Sequence, residues 1–160
     1  MRTPIVYGYG VKANIKNLIN LVKKVPVLPF GKITNNRSMV FVGNLCHLID
    51  EIIIRPVGSA LGVQDKAGIF LACDDEPLST TKLIELIADN LDKKVYLIKM
   101  PFFDSLLNLV KPSFHKRLYE SLEVDNSKTK KVLSFKNKYS VEDGIKFMLK
   151  DYRKWFILYY

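Results

Sequence analysis

The stretch IVYGYGVKANIKNLINLVKK, Ile5 to Lys24, constrains the fold more than any other part of the chain. A short apolar run and two glycines are followed by Ile15, Leu18, Ile19 and Val22 at helical spacing. This pattern predicts a strand at Ile5–Tyr7, a tight turn, and an amphipathic helix from Ala13 to Val25, ended by Pro26. Strand, turn and helix in succession form the repeating step of an α/β sheet. The glycines invite the reading of a dinucleotide-binding fingerprint, and the neighbouring residues argue against it. A fingerprint needs an acidic residue about 20 positions on for the ribose hydroxyl, whereas no Asp or Glu precedes Asp50. Pro4 falls in a strand that should be fully paired, and Tyr9 puts a ring where backbone should close over phosphate.

The remaining pattern is mixed α/β. Arg37–Val42 reads as a second strand running into an apolar helix from about Asn44, and GIFLAC, Gly68 to Cys73, as the clearest strand of all. Ser79 can cap a helix with Leu83, Ile84, Ile87, Ala88 and Leu91 on one stripe. VYLIKMP reads as a strand closed by Pro101, and FFDSLLNLV as a helix stopped by Pro112. Asp125 or Asn126 caps a further helix. Ser140 and Asp143 then open a last one, with Val141, Ile145, Met148, Leu149 and Tyr152 facing inward. With 160 residues, 48% of them hydrophobic, and no repeat or linker, one domain is expected.

Several chemistries are disfavoured. The sequence has neither a G-x-x-x-x-G-K-[ST] loop nor G-x-S-x-G. Cys46 and Cys73 lack metal-ligand spacing and are expected as buried, reduced thiols, so no zinc site is expected. His47 and His115 read as structural. No apolar run reaches membrane-spanning length, and the N-terminus lacks the apolar core of a secretory signal, so a cytoplasmic location and no membrane partner are expected. The net charge is +9 and unevenly spread: Arg2, Lys12, Lys16, Lys23, Lys24, Lys32 and Arg37 all precede the first acid. Such asymmetry suits an anionic partner, although a solvated basic face serving solubility gives the same pattern.

Taken in order, RTPIVYGYGVKAN, LPFG, NNRSMVFVGNL, LST with LIELIA, VDNSKTKKVLSF and SVEDGI resemble the C-terminal half of the NAD-dependent epimerase/dehydratase family, the extended short-chain dehydrogenases that act on sugar nucleotides. The resemblance covers nearly the whole chain. It implies the C-terminal part of a Rossmann-like extended short-chain dehydrogenase fold, a small mixed sheet with flanking helices whose cofactor-binding half is missing. Residues 1–10 would be the last part of the Rossmann sheet and residues 11–160 the sugar-nucleotide lobe. Arg2 to Gly10 match the family's R-P-x-x-V-Y-G-P-G segment, with Thr3 and Tyr9 where prolines are usual, and Pro4 becomes the candidate cofactor contact. Gly10 to Ile15 resemble the segment that would bring Asn14 and the Ile15 backbone to the nucleotide diphosphate. LPFG makes Phe30 the candidate neighbour of the uracil. Arg37 stands where the family's diphosphate-pairing arginine stands, and Arg117 roughly where a second one is found. Gly43-Asn44 replaces a pair that usually contains an acid, which leaves helix capping to Asn44; Ser134-Phe135 replaces Gly-Trp.

The residue chemistry agrees, because a guanidinium fork binds phosphate oxygens in a bidentate way that an ammonium does not. The family's N-terminal half carries the glycine fingerprint and the Tyr-x-x-x-Lys pair that moves a proton as hydride goes to or from NAD. Neither is found here, and no tyrosine has a lysine four positions on. The expectation is therefore a UDP-sugar-binding lobe of an enzyme of surface-polysaccharide synthesis, inactive alone. NAD(H) would be used only in the complete enzyme, with a separate N-terminal Rossmann half or self-association covering exposed edges. The alternative is a small basic nucleic-acid-binding protein, for which no RNP-like aromatic pattern, helix-turn-helix signature or Lys/Arg-rich tract speaks.

Overall fold

The computed structural model describes residues 1–54, 69–100 and 102–150. Gly68, Pro101 and Tyr152 of the sequence reading lie outside them. The elements run β1 (Ile5–Tyr7), α1 (Ala13–Lys24), β2 (Val27–Leu28), β3 (Met39–Phe41), α2 (Val42–Ile54), α3 (Thr80–Asn90), β4 (Tyr96–Leu97), α4 (Phe103–Val110), α5 (Pro112–Tyr119), α6 (Ser127–Leu133) and α7 (Val141–Leu149).

The opening stretch folds as its pattern predicts. β1 pairs in parallel with β3, Ile5 opposite Met39 and Tyr7 opposite Phe41, and α1 lies between them in the chain as the crossover a parallel pair requires. Gly10 takes φ +76°, a conformation that favours glycine. Gly8 sits so close to α2 that an added Cβ would lie 2.6 Å from Val42 Cγ1. Gly8 thus lets the turn after β1 close against the start of α2, and Gly10 turns the chain into α1. Ile15, Leu18, Ile19 and Val22 of α1 are buried against Leu83, Ile84 and Ile87 of α3 and Ile145 and Met148 of α7, which with Tyr7 and Phe41 form the main core. A smaller cluster gathers Val40, Leu48, Ala72, Leu133 and Phe135. Ser79 caps α3 by accepting from the Lys82 N–H, and Ser140 with Asp143 forms a reciprocal capping box on α7.

Four expectations are corrected. Among the described residues the sheet is not mixed: β1–β3 and a second pair, β2–β4, are both parallel, and the antiparallel contact of Arg37 with Leu78 is an isolated bridge. The strand expected at GIFLAC shrinks to a single parallel bridge between Leu71 and Arg2, because the chain then turns so that the Asp74 N–H donates to the Met39 carbonyl and its side chain meets the Phe41 N–H. Asn44 does not cap α2, which starts at Val42; it lies in the first turn and faces inward to other segments. Cys46 is exposed while Cys73 is buried and free. With Asn44 and Leu48 facing inward, a residue midway between them on a helix faces out.

Candidate functional site

One cavity of about 430 Å³ opens among the ends of five segments. β1 contributes Ile5, the first turns of α1 contribute Ala13, Asn14, Ile15 and Leu18, the approach to β3 contributes Arg37 and Met39, the start of α3 contributes Leu78 to Thr80 and Leu83, and α5 contributes Arg117 and Leu118. Two arginines and two helix N-termini thus meet with no carboxylate among the described lining residues, an arrangement that favours an anion. No side chain caps α1, whose N-cap is Lys12 and whose first turn has no acid, so its leading amides are not capped from within the helix.

Arg37 is held from one side. Its Nη1 donates to the carbonyls of Arg117 at 2.7 Å, Glu120 at 3.3 Å and Lys116 at 3.5 Å, the last carbonyls of α5, where a cation meets the negative end of the helix. Its Nε is buried and, among the described residues, has no hydrogen-bond partner. Arg117, exposed on α5, donates from Nη1 to Asn14 Oδ1 at 3.2 Å and so ties α5 to the start of α1. Asn14, Ile15, Arg37 and Arg117, far apart in the chain, therefore border the same space.

The other two candidates lie elsewhere. Phe30 is 4% exposed and packs edge-on against Phe103, ring centroids 5.9 Å apart, outside the lining of the cavity. Pro4 is half-buried just ahead of β1 and is likewise absent from the lining.

A second polar cluster is buried behind β3. Asp74 accepts from Tyr7 Oη at 2.8 Å, from the Phe41 N–H at 3.1 Å and from Asn44 Nδ2 at 2.8 Å. Asn44 in turn donates to the Tyr139 carbonyl and accepts from the Lys138 and Tyr139 N–H groups. Burial pushes the Asp74 carboxyl above the usual carboxylate range despite these hydrogen bonds. Burial, and then the neighbouring Asp74 charge, push the Tyr7 phenol far up, the wrong direction for a proton-transferring tyrosine at neutral pH. Burial likewise pushes the Cys73 thiol up to about 11, so it is no activated nucleophile. The cluster ties together β1, β3, α2 and the approach to α7. Sequence reasoning assigned Asn44 to a helix cap and gave Asp74 no role, so the cluster was missed.

Over 152 residues the chain is 36% identical to the UDP-glucose 4-epimerase of Vibrio cholerae, an alignment that covers 91% of this chain and 44% of that protein. The chain thus spans less than half the length of this relative. No family model matches it. In fold it is similar to RMD from Pseudomonas aeruginosa complexed with NADPH, with a TM-score of 0.64 at 12% identity, covering 92% of this chain and 45% of that one. It is also similar to the UDP-glucose 4-epimerase of Thermotoga maritima solved with UDP-glucose, with a TM-score of 0.59 at 19% identity, covering 97% and 45%. In sequence and fold the chain is similar to the C-terminal part of NAD-dependent epimerases and dehydratases of the extended short-chain dehydrogenase type.

Proposed function

We propose that this chain is the substrate-binding part of a sugar-nucleotide epimerase, dehydratase or reductase, and that its cavity receives the diphosphate of a UDP-sugar. The observation that carries the reading is the meeting of Asn14, Ile15, Arg37 and Arg117 around one acid-free cavity, with Arg37 Nε buried and lacking an acceptor. A buried donor without a partner costs about 1–3 kcal/mol, and a phosphate oxygen is an acceptor that would satisfy it. Arg117, whose carbonyl Arg37 holds, reaches the same ligand once its bond to Asn14 opens, and the uncapped amides at the start of α1 complete the cradle. Phe30, already covered by Phe103, offers the nucleotide no free ring face and shapes the lobe from within.

NAD does not fit the residues present. Gly8 is packed against Val42, the N-terminus of α1 opens toward Arg37 and Arg117 instead of a ribose-binding acid, and Tyr7 is held by Asp74. We therefore place hydride transfer, and any contact of Pro4 with a cofactor, in an assembly completed by residues beyond these 160. Ile5 and Val6, on opposite faces of a two-stranded parallel pair, are 36% and 39% exposed. Parallel strands are normally covered on both faces by helices; Ile5 faces the cavity, and helices of a cofactor half would cover Val6.

Calorimetric titration tests the reading. The chain should bind UDP-glucose or UDP-N-acetylglucosamine more tightly than UMP and lose that preference in Arg37→Ala, with no turnover when NAD is added. Turnover by the isolated chain contradicts the division of labour. Equal affinity for UMP and UDP-sugar, or tighter binding of an oligonucleotide with a steep salt dependence, contradicts the ligand.

A further inference from the structure

Exposed apolar side chains gather in more than one place, and the β1–β3 sheet, where a cofactor half is proposed to join, is only one of them. Ile5, Val6 and Val42 belong to the β1–β3 sheet and the helix that leaves it. A separate group lies on α4: Phe102 is 85% exposed, Leu109 83%, Val110 64% and Leu106 57%, with Met100 at 51% just before them. At helical spacing these four share one side, while Phe103 and Leu107 beside them pack on the core. α4 packs chiefly on α5 rather than on the strands. Phe102 also holds φ 66°, a left-handed conformation that is costly for an aromatic residue, at the very position where its ring stands in solvent. Lys99 and Lys111 bracket α4 in sequence, Lys116 follows on α5, and all three are exposed.

We propose that the α4 face docks on the surface of an anionic lipid bilayer. A ridge whose outer residues are more than half exposed is convex, and a fluid bilayer accommodates convex apolar side chains where a rigid partner needs a matching groove. The lysines at both ends complement acidic headgroups; they would oppose one another if a second copy of the chain covered the same face. Among the described residues no helix is long and apolar enough to cross a membrane; α4 is amphipathic but holds one acid, Asp104, and no base, so its attraction to an anionic interface rests on the flanking lysines. The contact is peripheral and lies where the sequence showed no membrane signal. It does not depend on the sugar-nucleotide reading, because the α4 face lies outside the lining of the cavity.

The test is co-sedimentation of the full chain, cleared beforehand by centrifugation, with vesicles of phosphatidylcholine alone or mixed with phosphatidylglycerol. The chain should pellet with the mixed vesicles only. The bound fraction should fall about tenfold in the double variant Phe102→Ser/Leu109→Ser and by a similar factor in Lys99→Gln/Lys111→Gln or at high salt. Both pairs are exposed, so the thermal unfolding curve should not move. Three results would overturn the proposal: no binding to anionic vesicles, binding that both double variants leave unchanged, or a dimer in gel filtration that Phe102→Ser/Leu109→Ser converts to monomer. The last would make a second copy the occupant.

Discussion

Around Asp74, three donors from three segments converge on one carboxylate, and Asn44 beside it uses both ends of its amide. Around the cavity, Arg37 is fastened through one terminal nitrogen while its Nε has no partner, and Arg117 makes a single long bond to Asn14. Both regions hold polar side chains at the boundary of the same core. The first is closed on itself, which is what a structural tie requires. The second is closed on one side only, and the side left open is where a ligand would supply the missing acceptors. Unmatched hydrogen-bonding capacity, more than charge, separates a binding site from a polar brace.

The comparison breaks most visibly at Asn44, which is 1% exposed. Asn44→Asp would turn a donor facing Asp74 into a second carboxylate 2.8 Å away and would remove the bond to the Tyr139 carbonyl. Expected is a loss of about 3 kcal/mol or more in denaturant unfolding at neutral pH, partly recovered in acid when the pair shares a proton. An unchanged midpoint would show that the cluster is not a brace.

At the cavity the larger effect should fall on binding instead of stability. Arg37→Ala removes the cation from the end of α5, worth about 1 kcal/mol of stability, and should weaken UDP-sugar binding by more than tenfold, since hydrogen bonds to charged groups contribute about 1.5–3 kcal/mol each. A large loss of stability with unaltered binding would make Arg37 another brace. Arg117→Ala is the sharper control, because Arg117 is exposed and its side chain is held, among the described residues, by Asn14 alone. It should leave unfolding nearly unchanged and weaken binding several-fold, read by the same titration.

The helices were legible because their signals are local: the Ile15–Val22 face of α1, the Ser79 cap and the Ser140–Asp143 box needed no tertiary information. The strands were harder. GIFLAC has the composition of a strand, yet whether a ladder forms there depends on where Asp74 turns the chain, and that is set by Met39 and Phe41, more than thirty residues earlier. Cys46 was misread because apolar neighbours in sequence do not say which side of α2 faces the core. The gathering of Arg37, Arg117 and Asn14 came from order and resemblance. The fastening of Arg37 by the carbonyls of α5 lay beyond the sequence, because a backbone acceptor has no residue-type signature.

The smallest effect distinguishes burial from hydrogen bonding inside the closed cluster. The Asp74 carboxyl is raised by burial and lowered by Asn44, Phe41 and Tyr7, with burial prevailing. A carboxyl raised in the folded state favours folding while protonated, so its contribution is fully present below the ordinary carboxylate range and is lost as the pH rises through the folded value. The unfolding free energy of the native chain should therefore decline over that interval relative to Asp74→Asn, which does not titrate. Urea unfolding across a pH series reads the difference in slope. If the native chain instead gains stability relative to the variant as the pH rises, the three donors outweigh burial, and the brace is held as a charged carboxylate.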